Sequence, residues 1–380
     1  MVFSEEGKIV TRGFPIWALA AAAWLAPGTS KADLIGCAPE QSRVQFTVTA
    51  TSGQIGSISA IAPYLIRQGI VPSYKPQRAD NGSVPGLKHE SLLRAMNATA
   101  LGQASRGRYE DAEATYLKTI EIGDVLLEDK PETSLAYRAG LGLLYMEQAR
   151  YDKAEPLLTK VLQSRRRILG PENEATLDSM NDLAALNAAQ GRHKEAEPLL
   201  TEALAIGRRV YGEEHLVALT SVNRLGALYR DQGHYGEAEK LLAQALEGRR
   251  KTLGEGHPHT LQSMSDLGVL YTRQNRYADA ETLLQKALEG WHAASYGDEH
   301  PKTLESTHEL GVLYAAQGRH EAAEPLLVRA LEGRAKRFGA NHPATLDSLG
   351  CLVRLYEAWG KTDQALQWRK KLTPKVTPQP

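Results

Sequence analysis

A phrase of 22 residues recurs along the chain, and its small and apolar letters keep their places. It reads LAALNAAQGRHKEAEPLLTEAL from Leu183, LGALYRDQGHYGEAEKLLAQAL from Leu225 and LGVLYTRQNRYADAETLLQKAL from Leu267. A fixed period of this length predicts a repeat array, in which each copy packs on its neighbours along the chain. One alanine marks the period seven times, at spacings of 42, 42, 42, 42, 43 and 42 residues: Ala112, Ala154, Ala196, Ala238, Ala280, Ala323 and Ala365.

Apolar and small residues recur at helical spacing in two blocks of each copy, which predicts a pair of helices. In the first block Leu225, Gly226 and Tyr229 share one helical face. In the second block Ala196 and Leu200 of the preceding copy share another. Alanine or glycine at the crossing lets two helices approach closely, because a larger side chain there would push them apart. We therefore expect each copy to fold as a helix-turn-helix unit.

Glycines and His-Pro pairs mark the boundaries between copies. Proline suits the first turn of a helix, where its missing N–H would have no partner, so His257, His300 and His342 are predicted to cap the helices that follow. Equivalent residues of stacked repeats lie roughly 10 Å apart, which is too far for these histidines to share one metal ion. Glycine adopts the left-handed backbone at a helix end most readily, and it follows the second helix at Gly170, Gly212, Gly254, Gly297 and Gly339.

These residues resemble the tetratricopeptide repeat, and most closely its 42-residue variety found in kinesin light chains and many bacterial proteins. The shared motif is HPxTLxS…LGxLYxxQGRYxEAExLLxxAL…LG, and the resemblance covers residues 88–372. Departures lie at the ends, where Gln103 replaces a tyrosine and Val353 replaces a small residue. The resemblance implies an all-α, right-handed solenoid of about seven helix-turn-helix repeats.

Residues 1–32 are similar to a secretory signal peptide. Lys8 and Arg12 precede an apolar stretch, Ile16 to Ala26, that is too short to cross a bilayer. The sequence LIGC ending at Cys37 is compatible with a bacterial lipobox and equally with a chance match in a linker. We expect export to the periplasm or cell envelope, membrane attachment only if Cys37 carries lipid, and a cytoplasmic location if the signal interpretation is wrong.

Two other segments lie outside the predicted array. Residues 33–87 are expected to form a linker or an unassigned N-terminal region, because Pro, Gly, Ser and Asn are frequent in 72–86. Residues 373–380 have the sequence TPKVTPQP. They form a proline-rich tail that is predicted to be disordered.

Charge and motif content argue against several functions. Lys plus Arg and Asp plus Glu both total 45, so the chain offers no electrostatic footprint for nucleic acid. The sequence HEAAE from His320 lacks the second histidine of the zinc motif HExxH, and GKT from Gly360 lacks the first glycine of a phosphate-binding loop. We therefore predict no catalytic residue, no metal site and no cofactor, and expect that the chain is not an enzyme.

The variable positions of the first helices lie opposite their buried face. In the family that this chain resembles, that side lines a concave groove that holds an extended peptide or a helix. Amide side chains suit recognition of a peptide backbone, and arginine suits acidic side chains. The candidate groove residues are Asn181, Asp182, Asn223, Arg224, Arg230, Asp266, Arg273, His308 and Glu309.

These observations favour a non-catalytic scaffold that binds a protein or peptide partner in the groove. Two alternatives stay open: a regulatory or substrate-recruiting module of an enzyme complex, and an enzyme whose chemistry lies in residues 38–87. Self-association through the last repeat is also open, since Trp359 and Trp368 are expected to keep part of their surface exposed.

Overall fold

The computed structural model of the protein describes residues 89–126, 131–294 and 297–372. The regular secondary structure in this part of the chain is α-helical, as the repeat pattern predicts, and none of its helices is long and apolar enough to cross a bilayer. The signal-like segment 1–32, Cys37, residues 33–87 and the tail 373–380 lie outside the described residues. The helices are α1 (His89–Ser105), α2 (Tyr109–Leu126), α3 (Pro131–Glu147), α4 (Tyr151–Ile168), α5 (Glu174–Ala189), α6 (His193–Tyr211), α7 (Leu216–Asp231), α8 (Tyr235–Leu253), α9 (Pro258–Arg273), α10 (Tyr277–Ala293), α11 (Pro301–Ala316), α12 (His320–Phe338), α13 (Pro343–Ala358) and α14 (Thr362–Leu372).

These fourteen helices of the described residues pack in consecutive pairs as helix-turn-helix repeats. The chain divides into two compact units, unit 1 ending at Leu141 and unit 2 beginning at Gly142, so the boundary falls inside α3. Unit 1 contains α1, α2 and most of α3, and part of its core consists of Leu93, Met96, Ile122 and Tyr137. Unit 2 contains the last turns of α3 and the helices α4 to α14.

Small residues in unit 2 lie where the two helices of a repeat cross, as the sequence predicts. A Cβ atom added to Gly268 of α9 would come within 2.8 Å of the Leu284 Cγ of α10. The same addition at Gly226 would come within 2.9 Å of Leu242. Distances this short lie inside van der Waals contact, so a larger residue would force the helices apart.

Side-chain caps begin the first helices. The Nδ1 atoms of His257, His300 and His342 each accept a hydrogen bond, 3.2 Å long, from the backbone N–H two residues later. Asn173 does the same with its side-chain oxygen at 3.0 Å. The predicted capping role of these histidines is confirmed. The predicted glycines after the second helices also have positive φ angles: Gly170, Gly212, Gly254, Gly297 and Gly339.

One residue with left-handed backbone lies in the turn between the two helices of each repeat. Glycine occupies this position at Gly191 and Gly233, with φ angles of 73° and 83°. Ala149 and Asn275 occupy the equivalent position with φ angles of 56° and 60°. The left-handed region costs an alanine roughly 1–2 kcal/mol, so Ala149 is held there by its surroundings.

Buried arginines join every second pair of neighbouring repeats, a feature that the sequence pattern did not predict. Arg165, Arg249 and Arg334 are 3–7% exposed. Each donates to a backbone carbonyl and to a serine hydroxyl of the next first helix; for Arg249 the acceptors are His259 O at 3.0 Å and Ser263 Oγ at 2.8 Å. The repeats between them carry other residues at this position, Gly207 and Trp291.

The first helices of successive repeats in unit 2 contact one another directly: α5 with α7, α7 with α9, α9 with α11 and α11 with α13. Within the described residues, the second helices of neighbouring repeats approach one another less closely. The first helices therefore form the inner layer of the array, because the layer with the shorter spacing is the concave one. We call the surface formed by α5, α7, α9, α11 and α13 the inner wall.

Candidate functional site

Arg224 connects α7 to α5 across the inner wall. One guanidinium nitrogen donates to Asn181 O at 2.8 Å, and the other donates to Asp182 Oδ1 at 3.3 Å. The side chain of Asn181 is buried and donates to Leu177 O at 3.1 Å. The Arg224 side chain is 31% exposed, so its guanidinium group is held in one orientation and still reaches solvent.

Asn223 connects α7 to α9. Its side-chain nitrogen donates to Asp266 Oδ2 at 2.7 Å, and its side-chain oxygen accepts from the Ser263 hydroxyl at 2.7 Å. Arg230 lies 3.5 Å from the same Asp266, and the two side chains are 12% and 15% exposed. The amide of Asn223 is therefore used within the wall, where it fixes the register of two neighbouring helices.

Arg273 lies at the solvent side of this network. It pairs with Asp231 at 3.3 Å and donates to Arg230 O at 3.4 Å. Its side chain is 43% exposed. A partner could therefore reach its guanidinium group without disturbing the buried part of the network.

Several carboxyl groups of the wall are crowded by protein atoms. Burial, followed by repulsion from Asp182 and Glu174, raises the pKa of Asp178 well above its ordinary value. Burial also raises the pKa of Asp182, although Arg224 opposes it. Burial is the main cause that raises the pKa of Glu309. Keeping these groups ionised costs free energy, because desolvation disfavours the charged form.

His308 connects α11 to α13. Its Nδ1 lies 3.2 Å from Ser348 Oγ, and its Nε2 lies 3.0 Å from Asp347 Oδ2 and 4.0 Å from Cys351 Sγ. Burial lowers the pKa of His308, but the hydrogen bonds to Asp347 and Cys351 outweigh burial and raise the pKa to about 9. Arg354 donates to Cys351 Sγ at 2.9 Å. The ligand atoms of His308, Asp347 and Cys351 all lie within 4.8 Å of one another.

All nine sequence-predicted groove residues lie on first helices that form the inner wall. The structure brings Asn181, Asp182 and Arg224 together, and likewise Asn223, Arg230 and Asp266. Three of the nine are buried and bonded to neighbouring residues rather than open to solvent: Asn181, Asn223 and His308.

Asp347 and Cys351 form a pair beside His308 that the sequence pattern did not predict. Their spacing of four residues places them on one face of α13, and this spacing was the signal available in the sequence. The position of His308 one repeat earlier could only come from the way in which consecutive repeats stack.

In the last repeat of unit 2, Trp359 and Trp368 keep part of their surface exposed. The ammonium of Lys361 lies 3.2 Å from the ring centre of Trp359, and that of Lys371 lies 3.7 Å from the ring centre of Trp368. Lysine side chains therefore cover part of the aromatic surface on which self-association would rely.

The helix pairs, their crossing residues and the inner wall define a tetratricopeptide repeat domain. The sequence profile of the tetratricopeptide repeat matches more than half of the chain, and the chain belongs to this family. Repeats of this family mediate protein or peptide binding. The matched residues are 132–209, 181–251, 216–293, 276–336 and 303–373.

Solved structures give further comparisons. A putative kinesin light chain from Podosopora anserina with nearly identical TPR-like repeats is 31% identical, over 53% of this chain and 95% of its own, with a TM-score of 0.43. A Rap protein complexed with Competence and Sporulation Factor is 11% identical, over 77% and 87% of the two chains, with a TM-score of 0.54. The Rap conjugation gene regulator of plasmid pLS20, in complex with the Phr* peptide, is 12% identical, over 78% and 80%, with a TM-score of 0.59. The two Rap proteins share the fold with this chain. No curated protein sequence matches it significantly.

Proposed function

We propose that the protein is a non-catalytic interaction scaffold that binds a peptide or an extended partner segment along the inner wall of unit 2. The observation that carries this proposal is the contrast between the two faces of the first helices. The face packed on the second helix keeps similar apolar and small residues from repeat to repeat, whereas most positions of the wall vary. A surface built this way offers a different set of polar contacts at each repeat to one elongated ligand.

Arg224 and Arg273 are the residues that we expect to make direct contact. Their side chains are 31% and 43% exposed, and carboxylates of the wall hold both guanidinium groups in place. A preorganised donor loses little side-chain entropy on binding. Asn181 and Asn223 are assigned a positioning role, because their amide groups are buried within the wall.

The Rap neighbours support a peptide as the ligand. Two of these proteins, which share the fold with this chain, were solved in complex, one with Competence and Sporulation Factor and the other with the Phr* peptide. The crowded carboxyl groups of Asp178, Asp182 and Glu309 add a charge preference, because a basic side chain near them would relieve the cost of their ionisation. The proposed ligand is therefore an extended segment with basic side chains opposite these carboxyl groups, and with acidic side chains or backbone carbonyls opposite Arg224 and Arg273.

Selection of peptides from a random display library on the full chain tests the proposal. Binding of the selected peptides, measured by fluorescence anisotropy, should weaken roughly tenfold or more in the double variant Arg224→Ala/Arg273→Ala, a loss of about 1.4 kcal/mol or more. The control is Arg209→Ala/Lys251→Ala, which removes two equally charged side chains from the second helices α6 and α8. Failure to select any peptide, or equal weakening by both double variants, would contradict the proposal.

We also propose that the scaffold works outside the cytoplasm, because residues 1–32 are similar to a signal peptide. Fusion of residues 1–40 to a reporter that is active only after export tests this location. Cys37→Ser in the full chain tests attachment: loss of the protein from the membrane fraction would indicate lipid on Cys37. A reporter without activity would contradict export.

A further inference from the structure

We infer that His308, Asp347 and Cys351 form a binding site for a zinc-class divalent cation in the inner wall. The inference stands apart from the peptide proposal, since it rests on one cluster of ligand atoms between α11 and α13. An imidazole nitrogen, a carboxylate oxygen and a thiolate sulfur are the three donor types that zinc takes in proteins. The combination of nitrogen and sulfur donors argues against magnesium and calcium, which prefer oxygen.

The distances suit one tetrahedral ion. Bonds of about 2.0–2.3 Å from a tetrahedral zinc ion place its ligand atoms about 3.3–3.8 Å apart. The His308 Nε2 atom lies 3.0 Å from Asp347 Oδ2 and 4.0 Å from Cys351 Sγ. All three ligand atoms lie within 4.8 Å of one another. Side-chain rotations that move each atom by less than about 1 Å would bring the set to the required geometry.

The surroundings orient the histidine for this role. Ser348 Oγ lies 3.2 Å from the Nδ1 atom of His308, which leaves Nε2 facing Asp347 and Cys351. Arg334 in turn donates to the same serine hydroxyl at 2.8 Å. A second residue bonded to the other ring nitrogen is what fixes metal-ligating histidines in known sites. The ring is 3% exposed, so it cannot turn freely into solvent.

Charge and access are also compatible with an ion. Binding would displace one proton from the His308 imidazole and one from the Cys351 thiol, because metal ligands must be deprotonated. A divalent cation with one thiolate, one carboxylate and a neutral imidazole then has no net charge. Arg354 donates to Cys351 Sγ at 2.9 Å. Arg354 is exposed, so its side chain can turn outward into solvent. Arg334 stays beside Asp347, 3.9 Å away, and Glu309 follows His308 on α11.

The side chain of Asp347 is 57% exposed, so the fourth coordination position faces solvent and could take water or a donor from a bound partner.

His308 and Cys351 both differ from the residues at the equivalent positions of the other repeats. His308 occupies the place that is Asn181, Asn223 and Ser265 in the preceding repeats. Cys351 occupies the place that is charged in those repeats: Asp182, Arg224, Asp266 and Glu309. These substitutions meet at one interface, because the residue two positions before the recurrent leucine of one first helix faces the residue directly before that leucine in the next, as Asn223 faces Asp266.

Titration of the full chain with Co²⁺ under reducing, oxygen-free conditions tests the inference, because a cobalt–thiolate bond gives a near-ultraviolet charge-transfer band. The expected result is one equivalent bound, with the band present and then lost on addition of Zn²⁺. Cys351→Ser and His308→Asn should lower the affinity roughly 100-fold or more, and Asp347→Asn roughly tenfold. Asparagine is the residue that the array itself carries at two equivalents of position 308, so the fold should survive, and circular dichroism checks this.

The control is Cys37→Ser, which removes the only other cysteine and should leave the band and the affinity unchanged. Absence of a thiolate band at one equivalent would overturn the inference and leave His308 and Asp347 as an ion pair. A band that survives Cys351→Ser and disappears in Cys37→Ser would overturn it as well.

Discussion

Arg249 and Ser263 join two neighbouring repeats, with a distance of 2.8 Å between the guanidinium nitrogen and the hydroxyl oxygen. The same nitrogen also donates to His259 O at 3.0 Å. Arg165 with Ser179, and Arg334 with Ser348, repeat this arrangement at every second interface. At the intervening interfaces, Gly207 and Trp291 occupy the position of the buried arginine.

The first prediction concerns this buried bond. Arg249→Met keeps the length of the side chain but leaves the buried Ser263 hydroxyl and the His259 carbonyl without their donor. The free energy of unfolding should fall by about 2–3 kcal/mol, measured by urea denaturation followed by circular dichroism. Lys251→Met is the control, because that lysine is 65% exposed and should change stability by less than about 0.5 kcal/mol. Equal effects of the two substitutions would refute the structural role of Arg249.

The second prediction concerns the turn position with left-handed backbone. Ala149→Gly should raise the free energy of unfolding by up to about 1 kcal/mol, because glycine adopts its φ angle of 56° without strain. Gly233→Ala, at the equivalent position of another repeat, should lower it by about 1–2 kcal/mol. A Cβ atom at Gly233 meets no atom within 4 Å, so this effect comes from the backbone alone.

Gly236→Ala is the matched control for the turn. It also has open space around the added Cβ but lies in a helix without a positive φ angle. Here alanine should be neutral or stabilising by about 0.5 kcal/mol. Thermal unfolding of the three variants measures the order of their stabilities. A stabilising effect of Gly233→Ala would be inconsistent with the described turn.

The third prediction is a pH dependence that arises from a capping histidine. Burial, with Arg337 and Lys302 nearby, lowers the pKa of His300 to about 4 from an ordinary value of 6.5. The folded state therefore binds fewer protons than the unfolded state between these values, so the contribution of His300 to stability is present at pH 7 and is lost as the pH falls toward 4. Protonation also removes the Nδ1 acceptor of the cap.

His300→Asn isolates this contribution, since Asn173 caps α5 with its side-chain oxygen. The variant and the natural protein should have similar melting temperatures at pH 7.5, whereas at pH 5 the variant should melt a few degrees higher. Differential scanning calorimetry across this range measures the difference. A difference that does not change with pH would count against a neutral, half-buried His300.

The fourth prediction concerns Asp178 in the inner wall. Its raised pKa means that the folded state holds a proton more tightly than the unfolded state, so ionisation opposes folding as the pH rises above the ordinary value of 3.8. Asp178→Asn should therefore raise the melting temperature by a few degrees at pH 7 and leave it unchanged near pH 3.

Asp279→Asn is the control for Asp178, because Asp279 is an exposed partner of Arg276 on a second helix. That substitution should leave the melting temperature at pH 7 unchanged or slightly lower. If Asp178→Asn destabilised the protein at pH 7, the free-energy cost assigned to its partly buried charge would be wrong.

The repeat pattern was sufficient to predict the helix pairs and many of their local features. Gly268 at a helix crossing and His257 at a helix start follow from rules that involve residues close in sequence, namely helical periodicity and capping. The prediction that the variable positions lie on one face also follows from the period of the helix. It did not show that Asn181 and Asn223 would be buried.

The sequence by itself thus determined the all-α repeat architecture, the boundaries of each hairpin and the face that varies. Only the tertiary structure decided that Arg249 bridges two repeats, that Asn223 is bonded to Asp266, and that His308 meets Cys351. Each of these contacts joins residues from different helices, and most span a whole repeat. They depend on the stacking register of consecutive hairpins, which is set by the interlocking of many side chains at once and has no signature in the spacing of any one helix.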